Sequence, residues 1–223
     1  MNTMQISRVP RPKSTAIRTY DRLSHVYDLL TGSSESRFIL LGLEMLAVDS
    51  YESLLEIGSG TGKALLELCH LSGNPGSIHG LDISPGMLRQ ARLRLKNAGL
   101  QAQVSLLQGD GLNLPYKNES FSAVFISFTL ELFDTPEIPL VLAECQRVLK
   151  SGGRLGVISM LKTETPSWSV RLYEWLHSRF PAYVDCRPIN AKEMIKAAKF
   201  SIKKWHSYSM WGLPVELMVA CKV

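Results

Sequence analysis

Between about residues 50 and 160 the chain alternates short apolar runs with segments of helical period, and this rhythm restricts the fold more than any other feature. "SLLEIG", "SIHGLD", "QVSLLQGD", "SAVFISFT" and "RLGVISM" read as strands, while "GKALLELCHL", "SPGMLRQARLRLKNAG" and "PEIPLVLAECQRVLK" carry apolar residues at helical spacing. Ser84 and Pro85 supply an N-cap and a first-turn proline for the second of these helices, and Gly152 and Gly153 stop the third. Strands this apolar need cover on both faces, so the pattern predicts an α/β fold, a doubly wound, Rossmann-like and mostly parallel sheet. "SIKKWHSYSM" and "PVELMVACKV" add a C-terminal antiparallel hairpin, which brings the expected sheet to seven strands.

The flanks are helical. One pattern runs from Lys13 to about Leu30 with a break at "TGSS", and "SRFILLGLEMLAV" follows as a second helix. After Met160, "SWSVRLYEWLHSRF" sets Trp168, Leu172, Trp175, Leu176 and Phe180 on one helical face. Such a face reads first as core packing and second as the wall of a greasy substrate cavity. "NAKEMIKAAKF" is a further helix. With 223 residues and no linker-like segment, the chain fits one domain.

Within this framework "LLEIGSGTG" becomes the decisive stretch, because the loop after the first strand of a doubly wound sheet faces the ligand. A triphosphate loop needs GxxxxGK followed by Ser or Thr. Here Ala64 follows Lys63 and Ile57 stands where the first glycine belongs, which rejects it. A dinucleotide loop is GxGxxG; in Gly58-Ser59-Gly60-Thr61-Gly62 the third glycine comes one residue early. Asp82, at the end of the second strand, is placed to accept both hydroxyls of a ribose. Asp110 in "QGDGLNLPY" is placed to accept the exocyclic amine of adenine, with Gly111 giving backbone access. Together these residues favour an adenosine-type ligand without a clear pyrophosphate cradle.

"LLEIGSGTG", "GLDISPGMLRQA", "GDGLNLPYKNESFSAVF" and "ECQRVLKSGGRL" resemble, in order and spacing, the class I S-adenosylmethionine-dependent methyltransferases. The resemblance implies S-adenosyl-L-methionine as cofactor and no metal. It assigns Glu56, Gly58, Ser59, Gly60 and Gly62 to the methionine part, Asp82 to the ribose, and Ile83 and Met87 to the faces of the adenine. Asp110 and Gly111 take the adenine edge, and Ser127 lies beside the methionine part. The chemistry suits such a chain, since a sulfonium methyl is already activated and the protein has mainly to align a nucleophile and exclude water. The implied organisation is an N-terminal arm and helices covering the site over 1–49, a cofactor-binding core over 50–160, and acceptor-side helices with closing strands of the same domain over 161–223.

"TYDRLSHVYDLLTG" is similar to the N-terminal signature of the ubiquinone and menaquinone C-methyltransferases, with Tyr20-Asp21 followed seven residues later by Tyr27-Asp28. In that group the segment lies over the cofactor and the tyrosine packs against it, so Tyr27 joins the cofactor-binding set. One departure stands out. Those enzymes carry a basic and an amide residue after the fourth strand, where this chain has Glu131 and Leu132. An acid there fits a cationic or amine acceptor, or serves only as a helix-start residue. Methylation at a ring carbon or hydroxyl releases a proton, so a base helps; the candidates are His25, Tyr27, Glu131, His177 and Tyr183.

The expected activity is methyl transfer to a hydrophobic small molecule, a quinone precursor by C-methylation. N-methylation of a phospholipid headgroup or other small amine is the first alternative, and a non-catalytic cofactor-binding partner subunit the second. A nucleotide-dependent oxidoreductase rests on the glycine loop alone. The net charge of +5 is spread over the N-terminal arm and "KFSIKK" without an aromatic-and-basic stripe, so no nucleic acid is expected. Peripheral contact with a membrane surface is compatible with that charge, and monomer and homodimer both stay open. Cys69, Cys145, Cys186 and Cys221 form no CxxC pair, which suits a reducing, cytoplasmic setting.

Overall fold

The computed structural model describes residues 12–24, 27–71, 76–163, 170, 175 and 187–223, with the side chains of 28–34 excepted. Two helices lead, α1 (Lys13–Leu23) and α2 (Tyr27–Leu46). The alternating part follows as β1 (Ser53–Ile57), α3 (Lys63–Leu71), β2 (Ser77–Asp82), α4 (Pro85–Asn97), β3 (Val104–Gln108), β4 (Phe121–Ser127), a single 3-10 turn (Leu130–Leu132), α5 (Ile138–Val148) and β5 (Leu149–Met160). Helix α6 (Ala191–Ala197) and the strands β6 (Phe200–Met210) and β7 (Leu213–Lys222) close the chain.

The seven strands form one sheet in the order β3-β2-β1-β4-β5-β7-β6. β1 pairs in parallel with β2 and with β4, and only β7 and β6 bring antiparallel pairing. This is the doubly wound sheet with a terminal hairpin that the rhythm predicts. The strand order reverses direction between β1 and β4, which opens a crevice at their carboxyl ends. One face of the sheet packs Val141, Leu142, Cys145 and Ile195 of α5 and α6 against Leu55, Ile57 and Val124. The other packs Phe38, Ile39, Leu43 and Leu46 of α2, together with α3 and Leu95 of α4, against Leu54, Ala123 and Phe125. Gly42 lets α2 approach β5 closely, since a Cβ there would meet Ile158 at 2.8 Å. The hairpin turns on Trp211 and Gly212, both at positive φ (53° and 78°), the backbone of a two-residue turn that matches strand twist.

Two boundaries differ from expectation. The break between the N-terminal helices lies after Leu23 rather than at Thr31–Ser34, which α2 runs through. Glycine and serine weaken a helix by about 1 kcal/mol or less each, and the buried stripe of Phe38, Ile39, Leu43 and Leu46 carries the whole element. The other is the end of α5. It stops at Val148, and Leu149 already pairs with Phe121 as β5. The pairing then jumps to Ala123 with Arg154, so Gly152 and Gly153 sit in a strand irregularity instead of ending a helix. Cys69 and Cys145 are buried free thiols and Cys221 is partly exposed; Cys186 lies outside the described residues. Of the aromatic face after Met160, Trp175 is 58% exposed, and Trp168, Leu172, Leu176 and Phe180 lie outside the described residues. No described helix is long and apolar enough to cross a membrane.

Candidate active site

A cavity of about 170 Å³ opens at the carboxyl ends of β1, β2, β3 and β4. Its floor is the loop Gly58–Thr61, shaped by bonds to β2: the Gly58 and Ser59 N–H groups donate to the Leu81 carbonyl at 2.8 and 3.0 Å. Arg94 of α4 pins the loop from behind, donating to the Thr61 carbonyl at 2.9 Å. The glycines do different work. Gly58 (φ +73°) is held against Thr129, whose side chain would lie 2.3 Å from an added Cβ. Gly60 (φ +51°) has no protein atom within 4 Å of the same position, so its missing side chain keeps cavity space open. Gly62 (φ +79°) does not line the cavity; a Cβ there would meet the Ala91 Cβ at 3.0 Å, so it serves the approach of the loop to α4.

Carboxylates ring this floor. Glu56, the penultimate residue of β1, is buried and lines the cavity, and its Oε2 has no hydrogen-bond partner. Desolvation, and then the neighbouring Asp82 charge, hold its carboxyl well above the usual carboxylate range. Asp82 ends β2; its Oδ2 accepts the Gly60 N–H and its Oδ1 the Ser84 N–H, both at 2.8 Å. Burial raises its carboxyl, and those backbone donors act against the rise. Asp110 follows β3, with Oδ1 accepting the Leu112 N–H at 3.0 Å and Oδ2 accepting from Lys13 of α1 at 2.5 Å. The Ser59 and Ser127 hydroxyls are buried in the cavity wall without a partner.

Tyr27, Glu56, Gly58, Ser59, Gly60, Asp82, Ile83, Met87, Asp110, Gly111 and Ser127 therefore line one cavity together. Of the residues considered as a base, Tyr27 lines it. Glu131 does not: it is buried in the 3-10 turn, where its Oε1 accepts the Met160 N–H at 3.2 Å. Desolvation first, then the Glu216 and Glu35 charges, push its carboxyl up to about 8, so it is largely protonated at neutral pH. His25, His177 and Tyr183 lie outside the described residues. Tyr20, of the Tyr20-Asp21 pair, lines the cavity as well, and sequence reasoning passed over Lys13, Ala16, Glu35, Phe128 and Phe133, which also belong to the lining. Helical period alone does not say which face of α1 or α2 turns toward a site.

The donor set fits S-adenosyl-L-methionine on observations of this structure. The partnerless Glu56 oxygen matches an ammonium, the open volume above Gly60 matches a ligand that touches backbone, and Asp82 and Asp110 stand at the ends of β2 and β3, one strand apart.

Residues 54–153 match a methyltransferase domain model. Over 199 residues the chain is 31% identical to a demethylmenaquinone methyltransferase of Corynebacterium kroppenstedtii, covering 87% of this chain and 80% of that protein. The chain belongs to the S-adenosylmethionine-dependent methyltransferases. It is also 31% identical to the demethylmenaquinone methyltransferase of Lactobacillus johnsonii, over 66% of this chain but only 58% of that enzyme's length. The solved structure of the cyclase SpnF matches with a TM-score of 0.75 at 19% identity, covering 97% of this chain and 99% of that one. At that identity the likeness shows the fold alone, and what this methyltransferase acts on has to be argued from its site.

Proposed function

We propose that the chain transfers a methyl group to a ring carbon of a hydrophobic, quinol-type acceptor. The bound cofactor supplies an activated methyl group. Glu56 and the Gly58–Thr61 backbone hold its amino-acid end, Asp82 its ribose, and Asp110 its adenine edge. The observation that carries the acceptor reading is the remaining wall of the cavity. Tyr20, Tyr27, Ile39, Phe128 and Leu132 add apolar and aromatic side chains to the lining that also holds Ser127 and Glu56, while Phe133 packs toward Gly111. An electron-rich ring fits between such side chains and is shielded from water there. The two relatives named as demethylmenaquinone methyltransferases support the same acceptor class. Among the described residues, Tyr27 and Glu35, both on α2 and both in the lining, are candidates to take the released proton. Lys13, Ala16, Tyr20, Tyr27, Glu35 and Ile39, all within 1–49, serve as the cover of the site, whereas no described residue of 161–223 lines the cavity.

N-methylation of a phospholipid headgroup or other small amine is the second reading. It is favoured by Glu35, an acid beyond those that the cofactor needs.

The test is incubation of the enzyme with isotopically labelled cofactor and separate quinone and lipid extracts, followed by mass spectrometry. Label on a quinone ring supports the first reading and label on an amine headgroup supports the second. Label in neither fraction removes both.

A further inference from the structure

Helix α1 contributes no buried residue, yet it forms one wall of the cavity through Lys13, Ala16 and Tyr20. Polar contacts hold it. Asp21 Oδ1 accepts from the Ser84 hydroxyl at 2.6 Å and from the Gly86 N–H at 2.7 Å. The approach is close: a Cβ on Gly86 would lie 2.7 Å from that oxygen and 2.9 Å from the Asp21 Cα. At the end of the helix the Ser24 hydroxyl donates to the Asp21 carbonyl at 2.8 Å.

Ser84 is the junction. It is fully buried, its hydroxyl oxygen accepts the Met87 N–H at 3.1 Å, and its own N–H donates to Asp82. With its one hydroxyl proton committed to Asp21, its hydrogen-bonding capacity in this network is fixed. Asp82 in turn takes the Gly60 N–H. A continuous run of bonds thus leads from α1 through the start of α4 and the end of β2 to the glycine loop.

We propose that Asp21 is a positioning residue for the cofactor: through Ser84 it orients the Asp82 carboxylate and couples the seating of α1 to ribose binding. The inference rests on Asp82 being the ribose acceptor. Besides Asp21, the charged groups around Asp82 are Glu56 on β1 and, in the same cavity wall, Glu35, Lys63, Lys13, Asp110, Asp134 and Glu137. The Asp21 charge raises the Asp82 carboxyl, a smaller effect than burial. Removing that charge therefore lets Asp82 ionise at lower pH.

The experiment measures S-adenosylhomocysteine binding by calorimetry across pH, with hydrogen exchange of residues 13–23, for Asp21→Ala, Asp21→Asn, Gly86→Ala and Asp82→Ala. Asp21→Ala should lose about tenfold or more in affinity, as removal of hydrogen bonds to a charged acceptor does, and α1 should exchange faster. Gly86→Ala should do the same by pushing α1 away with every polar group in place. Alanine suits a helix start, so this variant carries the test if Asp21→Ala fails to fold. Asp21→Asn keeps an acceptor oxygen; it should stay within about threefold of wild type at neutral pH and retain binding to lower pH. The proposal is overturned if Gly86→Ala stays within twofold of wild type, or if Asp21→Asn loses as much as Asp21→Ala with an unmoved pH profile. Wild-type affinity in Asp82→Ala would remove the ribose reading, and this inference with it.

Discussion

Lys13 Nζ and Asp110 Oδ2 form an ion pair at 2.5 Å that joins the first turn of α1 to the loop after β3, with the Glu137 carboxylate a more distant ionic partner of Lys13 at 3.9 Å. Asp110 is the carboxylate assigned to the adenine amine, and on that assignment the lysine and the cofactor share one carboxylate. Exposed pairs of this kind contribute about 0.2–1 kcal/mol and weaken with salt. Lys13→Met is therefore expected to tighten S-adenosylhomocysteine binding by about two- to fivefold at low salt. The difference from wild type should shrink at high salt. Calorimetry at two ionic strengths checks it, and weaker binding in the variant would mean that Lys13 helps to hold the ligand.

Gly58 and Gly60 are two residues apart and should fail differently. Gly60→Val places a branched side chain in open cavity space, so cofactor affinity should be abolished while the melting temperature falls by only a few degrees, the left-handed φ costing about 1 kcal/mol. Gly58→Ala drives a methyl group into Thr129 and should lower stability itself. Thermal melts run beside binding titrations separate the two; equal melts would contradict the geometry.

Asp82→Ala removes the acceptor of both the Gly60 and Ser84 N–H groups, and with it the proposed ribose acceptor. Binding should weaken by roughly 1–3 kcal/mol, with a measurable loss of stability besides. A variant that bound normally would remove the assigned pose.

Glu131 makes stability depend on pH. Its carboxyl is raised in the folded protein to about 8 from an ordinary 4.5, so between those values the native state holds a proton that the unfolded chain has released. Stability from this group is therefore present below about pH 4.5 and is lost as pH rises toward 8. Glu131→Gln should remove that part of the loss and gain on wild type by on the order of a few kcal/mol at pH 8.5 relative to pH 5. Denaturant titrations at the two pH values measure it, and parallel curves for both proteins would refute it.

The contrast between Glu131 and Asp82 also explains what a one-dimensional reading reaches. Strand ends in an alternating α/β pattern have a fixed relation to the crevice, so Asp82, Asp110 and the glycine loop were legible as a group before any contact was known. Glu131 stands just past such an end, but its turn tucks the side chain against Met160 of β5, and nothing in "SFTLELFD" specifies that direction. The Tyr20-Asp21 pair was visible as a signature. Its hold on Ser84 and Gly86 spans more than 60 residues and depends on how α1 docks on α4. The break placed at "TGSS" failed for a related reason, because burial of the later half of α2 outweighs local helix preference.

Because α1 lends nothing to the hydrophobic core and is seated by a handful of polar contacts, its cavity-facing positions can change without disturbing the sheet. The glycine loop at the cavity floor has no such freedom, since Gly58 packs on Thr129, Gly62 packs on Ala91 and the Gly60 N–H is held by Asp82. A lineage built on this fold can thus retune the mouth of the cavity at Ala16 and Tyr20 by rewriting a single surface helix.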